Sequence, residues 1–338
     1  MNVETTIYWK GKKRTVLERR LIRGRAYLLL EKVGCSGRDK YFALAPHAGP
    51  GGDACMVHRL QLDENHRHYL QVLSRVCAGN RNLLNILDYQ WRGDSVDLVT
   101  TWISGESLEL RLARASRNPR LWPSPVMAFH LYRKLAHGLH QLSHREKIVH
   151  GDIKPANLIL DHNNLVIADF GSAWKMKNAF LHLTGDGHSE EYAAPEQHLG
   201  LPHTDFRSDM FAATVVFYRM LTRTFPYAGY VGKAGLPEFR ETMEPTLRAP
   251  KDVCPFRARL PRFFWEKVDA VVAKGLALDP DARFGTTREW VHRLNEIDAE
   301  LKLCDRDGLL ISAAKRVVTW FFPGPGSLRE SVPDSEPE

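Results

Sequence analysis

The sequence is short of cysteine, of long apolar runs and of any apolar leader, and each shortage removes a class of protein. Five cysteines in 338 residues, at 35, 55, 77, 254 and 304, are odd in number and scattered. A secreted disulfide framework is denser and usually even, so reduced thiols in a cytoplasmic setting are expected. The opening MNVETTIYWKGKK lacks the apolar core of a secretory signal. The longest apolar runs, 211–217 and 317–322, fall short of the roughly 18–20 residues that a spanning helix needs. No internal repeat is visible. Neither sign of charge dominates, since 47 basic and 40 acidic residues leave +7 while 43% of residues are hydrophobic. That balance excludes disorder along most of the chain and admits a packed core, in one large domain or two modest ones.

The charge is unevenly placed. Residues 1–25 hold eight basic residues against Glu4 and Glu18, a net of +6, whereas 323–338 carry a net of −3. The first stretch reads as a basic N-terminal extension that would attract an acidic partner. No motif for a specific nucleic acid accompanies it.

From Tyr27 the pattern turns strand-like, with YLLLEKV, KYFALA and ACMVHRL separated by a Gly-containing turn and by the loop PHAGPGG. A helix is expected over 66–77, then two strands around Arg92-Gly93. After Gly105 the text becomes helical. Ser124-Pro125 forms an N-cap and first-turn pair, and Ala128, Leu131, Leu135, Leu139 and Leu142 follow at helical spacing. Residues 209–221 are apolar nearly all round, as in a buried central helix. Further helices are expected near 263–277 and 286–302. Strands followed by helices make an α+β protein with two lobes, an N-lobe over 26–104 and a C-lobe over 105–298. The remainder, 299–338, reads as a C-terminal helix and a disordered acidic tail. Within it, LLISAAKRVVTWFF at 309–322 reads as a helix packing on the fold, with membrane contact the lesser alternative.

Two stretches carry chemistry, VHGDIKPANLIL at 149–160 and LVIADFGSAW at 165–174. Asp152, Lys154 and Asn157 share a loop between a helix and a strand, and Asp169 lies twelve residues past Asn157. These residue types suit phosphoryl transfer. A carboxylate orients a hydroxyl and takes its proton, a lysine neutralises the transferring group, and an amide oxygen with a second carboxylate holds Mg²⁺ on phosphates.

With these motifs the chain resembles the eukaryotic-like serine/threonine protein kinases. His150-Gly151-Asp152-Ile153-Lys154-Pro155-Ala156-Asn157 is similar to the family's catalytic loop, and Asp169-Phe170-Gly171 to its metal-binding motif. Ala194-Pro195-Glu196 resembles the end of the activation segment. Asp209 and its helix look like the anchor beneath the catalytic loop. LALDPDARF at 276–284 offers Arg283 as the partner of Glu196, and DLVTTWISGESL at 97–108 resembles the hinge, with Thr100 as gatekeeper. The resemblance covers roughly 27–298 and implies a bilobal protein-kinase-like fold, a small β-rich N-lobe and a larger helical C-lobe. It implies Asp152 as catalytic base and Lys154 as the phosphate-contacting lysine, with Asn157 and Asp169 as Mg²⁺ ligands. ATP would bind near Val33, Gly34, Gly37, Ala43, Thr100 and Trp102, and its γ-phosphate would pass to a Ser or Thr of a protein substrate.

The N-lobe departs from the family pattern. The Gly-rich loop keeps Gly34 but has Ser36 and Asp39 at the other two glycine positions, with an extra Gly37. His58 stands where the third strand should carry its lysine. No Asp or Glu occurs between Glu64 and Asp88, so the carboxylate that pairs with that lysine is missing too. Gly151 replaces the catalytic-loop arginine. Two readings stay open: an active divergent kinase in which His58, Arg59, Arg38 or Lys40 replaces the lysine, and a pseudokinase that binds nucleotide or acts as a scaffold. Weaker patterns have bland explanations. Cys55 and His58 with His66 and His68 read as a core cysteine and surface histidines rather than a metal site. His182, Thr184, His188 and Ser189 read as activation-segment residues. Arg111, Arg114, Arg117 and Arg120 read as a solvated helix face, or as an attractor for an acidic substrate.

Overall fold

The computed structural model describes residues 6–33, 39–45, 53–61, 65–161, 164–170, 174–175, 190–200, 205–242, 246–257 and 260–304. It comprises two compact units, one of Met1–Ser104 with Asp169–Trp174, the other of Gly105–Ala168 with Lys175–Glu338.

The first unit is built on strands. A hairpin pairs β1 (Thr6–Trp9) with β2 (Lys12–Thr15), and then come β3 (Glu18–Ile22), β4 (Arg25–Lys32), β5 (Lys40–Leu44) and β6 (Ala54–Gln61). Helix α1 (Asn65–Cys77) precedes β7 (Ile86–Arg92) and β8 (Ser95–Thr101). The six-stranded antiparallel sheet runs β3-β4-β5-β6-β8-β7. Two hairpins turn on Lys10-Gly11 and Arg23-Gly24, both residues of each pair having positive φ, the geometry whose twist matches two-residue connections. Glu18–Ile22 therefore belongs to the sheet, and the basic stretch expected as an extension is in large part strand.

Side chains bring the sheet's two edge strands together. The Arg23 N–H donates to Gln90 Oε1 at 2.7 Å and the Arg92 guanidinium to the Leu21 carbonyl at 2.6 Å. Arg23 and Arg25 face Asp88 at 3.7 and 4.0 Å. Asp97, fully buried, accepts from Arg59 at 2.8 and 3.0 Å and from Arg92 at 2.6 Å, with Arg20 at 3.6 Å. Burial pushes the Asp97 carboxyl up, but the hydrogen bonds from Arg59 and Arg92 outweigh it and hold it below the usual range. Of the basic stretch, Arg20 is buried, Arg23 and Arg25 pair with Asp88 from exposed positions, Arg14 pairs with Glu31 at 3.7 Å, and Lys10, Lys12, Lys13 and Arg19 are exposed.

One face of this sheet buries Ile22, Tyr27, Leu29, Ala43, Cys55, Val57 and Val99 in a common core. On the other face Leu30, Phe42 and Leu44 are covered in part by Ile7 and Trp9 of the hairpin, with Val33 and Trp102 in the same cluster. Trp9, Phe42 and Trp102 meet edge to face at ring separations of 5.2 and 4.7 Å.

The second unit is helical around a small sheet. Strand β9 (Glu106–Ser107) leads into α2 (Leu108–Arg117) and α3 (Pro125–Glu146); β10 (Ile148–Val149), β11 (Leu158–Asp161) and β12 (Asn164–Ile167) follow. Then come α4 (Pro195–His198), α5 (Phe206–Thr222), α6 (Pro237–Thr242), α7 (Pro250–Val253), α8 (Arg262–Gly275) and α9 (Thr287–Cys304). The Ser124 side chain accepts from the Met127 N–H, capping α3 as expected. Helix α5 is buried along nearly its whole length. Tyr132 of α3 stacks on Phe217 of α5 at 4.3 Å, shares a hydroxyl bond of 2.8 Å with Thr214, and accepts from Trp290 of α9 at 3.0 Å. Helix α9 runs to Cys304, past the boundary expected at 298. The segments 309–322 and 323–338 lie outside the described residues.

Replacing Asp97 with alanine should cost about 3 kcal/mol, because three guanidinium groups lose their common carboxylate at a buried seam. Urea unfolding of the chain followed by circular dichroism measures this. An unchanged midpoint would contradict the role given to Asp97.

Candidate active site

The loop between β10 and β11 is fixed from below by a charge that burial opposes. Asp209, in the first turn of α5 and 3% exposed, accepts the backbone N–H groups of His150 at 2.7 Å and Gly151 at 2.8 Å. Burial pushes its carboxyl up to about 6, against the pull of His150 and the two N–H donors. His150 is fully buried; its Nδ1 accepts the Asp152 N–H at 3.4 Å and its Nε2 meets the Ala168 carbonyl at 3.1 Å. That partner set places the ring proton on Nε2. Gly151 has φ +79, a conformation that side chains resist, so the glycine has a backbone reason to replace the family's arginine.

Above this anchor the reactive side chains converge. Lys154 Nζ lies 2.8 Å from Asp152 Oδ2, and Asn157 Nδ2 donates to the same oxygen at 3.0 Å and to the Asp152 carbonyl at 2.8 Å. Committing its nitrogen to Asp152 leaves Asn157 with its amide oxygen for a metal. The Ala168 N–H donates to the Asn157 carbonyl at 2.9 Å, tying the loop to the end of β12. Asp169 comes next with φ +62, a left-handed conformation that Asp tolerates better than most residues; by its contacts it belongs to the first unit.

The end of the activation segment is held by a buried ion pair. Arg283 donates to both oxygens of Glu196 at 2.7 and 2.9 Å, and Ser208 Oγ adds a third bond at 2.7 Å. Gln197 accepts from the Ala194 N–H at 2.9 Å and donates to the Gly151 carbonyl at 3.0 Å. It thereby joins this segment directly to the catalytic loop.

In the first unit, strand register sorts the expected nucleotide residues by face. Phe42 pairs with Met56 and Met56 with Thr100, while Lys40 pairs with His58 and His58 with Leu98. Directly opposed residues share a face, so Lys40, Phe42, Met56, His58 and Thr100 point to one side. Ala43 does not join them. It pairs with Cys55 and is fully buried in the opposite core, which removes it from the nucleotide set because a one-residue offset reverses the face. Cys55 and His58 likewise lie on opposite faces, and burial pushes the Cys55 thiol up to about 12. His66 and His68 lie in α1, where their side chains are outside the described residues.

The chain matches the protein kinase domain family over residues 58–294. It belongs to the protein kinase family. A probable serine/threonine-protein kinase of Clostridium perfringens is 26% identical over 221 residues, 64% of this chain and 30% of that protein. Serine/threonine-protein kinase PknB of Mycolicibacterium smegmatis is 33% identical over 183 residues, 51% of this chain and 27% of the relative. Serine/threonine-protein kinase ULK3 of Xenopus laevis is 29% identical over 220 residues, 64% of this chain and 43% of the relative. The matches thus span less than half the length of each of these relatives. The crystal structure of the Mycobacterium tuberculosis PknI kinase domain superposes with a TM-score of 0.56 at 21% identity, covering 80% of this chain and 95% of that one. That likeness speaks for the fold: a β-rich N-lobe and a helical C-lobe.

Within this kinase domain one expectation changes and one residue is added. Arg111 is no solvated residue, for it is 3% exposed and paired with Glu106 at 2.5 Å, and burial holds its guanidinium below the ordinary value. Arg114 shares that carboxylate at 3.0 Å, and Arg117 and Arg120 are exposed. Gln197 was missed, because nothing about a glutamine after Ala-Pro-Glu distinguishes it in sequence. Gly34, Gly37, Arg38, Gly171, His182, Thr184, His188 and Ser189 lie outside the described residues.

Because the folded Asp209 binds its proton up to about pH 6 and an unfolded one only to 3.8, stability contributed by this group is lost as pH rises through that window. Asp209→Asn should flatten this part of the stability–pH profile, as measured by urea midpoints between about pH 4 and 7. An unaltered profile would show that Asp209 titrates as an exposed carboxyl.

Proposed function

We propose that this kinase domain transfers the γ-phosphate of ATP to a serine or threonine hydroxyl of a protein, with Asp152 as the base. The observation that carries the reading is the convergence of Lys154 and Asn157 on one oxygen of Asp152, at 2.8 and 3.0 Å. Asp152 orients the acceptor hydroxyl and takes its proton as the phosphorus–oxygen bond forms. Lys154 offsets negative charge on the transferring group. Asn157 and Asp169 offer hard oxygen donors that would hold Mg²⁺, which would supply neutralisation of nucleotide phosphate charge. No group of three or more His, Cys, Asp or Glu among the described residues forms a metal cage. The proposal does not need one, because magnesium keeps waters and phosphate oxygens and takes only one or two protein carboxylates.

The nucleotide belongs on the sheet face that carries Thr100 and His58. Reduced thiols at Cys55, Cys77, Cys254 and Cys304 suit a cytoplasmic site of action. No described helix is long and apolar enough to cross a membrane.

A second reading, a pseudokinase, draws support from His58 at the lysine position and from α1, whose sequence NHRHYLQVLSRVC has no carboxylate. A phosphotransfer assay with Mg-ATP and a generic protein acceptor separates the two. Asp152→Asn should lower kcat by about 10²–10⁴-fold. Incorporation no higher than in Asp152→Asn and Asp169→Asn would overturn the enzyme reading. Thermal stabilisation by saturating Mg-ATP would then mark a nucleotide-binding pseudokinase, and its absence a scaffold.

A further inference from the structure

A nucleotide's phosphates need a cation on the same sheet face as Thr100, and the first unit has lost the lysine expected at position 58. Four side chains were candidates to replace it, and the structure separates those it describes. Arg59 is turned to the other face, where Asp97 accepts two of its hydrogen bonds. Its guanidinium is held above the ordinary value first by that bond, with Asp39 among the further contributors. The Asp39 carbonyl accepts the Arg59 N–H at 2.8 Å, and strand alternation puts Asp39 on the face opposite to Lys40. His58 is on the right face but only 5% exposed. Its ring is shorter than a lysine stem and brings its nitrogens less far from the strand.

Lys40 has the properties that the other two lack. It is the first residue of β5, immediately past the Gly-rich loop. Its carbonyl accepts the Val33 N–H at 2.8 Å. It lies directly opposite His58 in the ladder, so the two Cβ atoms are about 4.5–5.5 Å apart on one face. A lysine stem spans that gap and carries its ammonium to the space a lysine at 58 would reach. Lys40 is half-buried and makes no side-chain hydrogen bond or ion pair among the described residues, so its charge is available to a ligand. An ammonium that a neighbouring strand supplies also explains α1. The helix carries no carboxylate because no lysine on β6 needs one.

We propose that Lys40 is the phosphate-binding cation of this kinase domain, the lysine having moved from the third strand of the lobe to the strand beside it. The proposal rests on the nucleotide reading given above, and it assigns His58 no more than a packing role beside the phosphates. It also predicts a ligand preference: Lys40 should matter for ATP and ADP and not for adenosine.

Binding of Mg-ATP and of adenosine to the full chain, measured by calorimetry for the unaltered protein, Lys40→Ala, Lys40→Arg and His58→Ala, tests this. Lys40→Ala should weaken Mg-ATP about ten- to a hundredfold, the range for losing one charged hydrogen bond. It should leave adenosine affinity unchanged, which a merely unfolded or disturbed variant would not do. Lys40→Arg should retain most of the ATP affinity. His58→Ala should change it less than about threefold, and ATP affinity should be flat between about pH 6 and 9, where an imidazole would titrate and a lysine would not. Unchanged ATP affinity in Lys40→Ala, or a large loss confined to His58→Ala, would overturn the assignment and leave the nucleotide reading standing. Failure of the unaltered protein to bind either ligand would overturn the nucleotide reading, and this proposal with it.

Discussion

The carboxylate of Asp209 is placed where water cannot solvate it, and the catalytic loop depends on that placement. A buried anion is costly unless donors surround it, and here the donors are the backbone N–H groups of His150 and Gly151. The loop and the charge therefore satisfy each other. Backbone amides cannot rotate away as side chains can, so meeting both bonds fixes where Asp152 begins. Other contacts of the same helix extend the frame. Ser208 bonds Glu196, Phe211 lies under the Arg283 guanidinium at 4.8 Å, and Thr214 and Phe217 hold Tyr132. A helix buried nearly all round serves as one rigid base for loop, segment and core.

The first unit solves a different problem by different means. Its sheet has two edge strands, and exposed edges invite unwanted pairing. Rather than a backbone ladder, arginine side chains join β3 to β7 and the buried Asp97 gathers three of them. Each guanidinium there must be desolvated in part, so the seam costs more than an apolar contact of the same area would. It fixes which strand lies beside which. This gives part of the basic stretch at the start of the chain a place in the fold, with Arg20 buried beside Asp97 and the more exposed Arg23 and Arg25 facing Asp88.

How much of this was legible in the sequence follows from the range of each interaction. The catalytic loop, Asp209, and the pair of Glu196 with Arg283 could be read directly, because each needs one residue type at one place in a motif. The seam could not, since Arg92 meets Leu21 and Arg23 meets Gln90 across about seventy positions and no local pattern marks either contact. Ala43 was expected near the nucleotide, and its place in the opposite core follows from the β5–β6 register, Ala43 with Cys55, which no local pattern in the sequence marks. Arg111 looked solvated because its spacing from Arg114 was visible and its burial against Glu106 was not. The choice between His58 and Lys40 needed the pairing of β5 with β6, which the sequence leaves open when a loop of unusual composition joins the strands.

The central claim is that Asp209 holds the catalytic loop in a reactive shape. Hydrogen exchange at the His150 and Gly151 amides, followed by NMR or mass spectrometry in the unaltered protein and in Asp209→Ala, tests it most directly. The account predicts slow exchange at both amides in the unaltered protein. In the variant, protection should fall by orders of magnitude at these two positions while the interior of α5 stays protected, because the donors lose their acceptor and the helix keeps its core. Equal protection of the His150 and Gly151 amides with and without the carboxylate would contradict it.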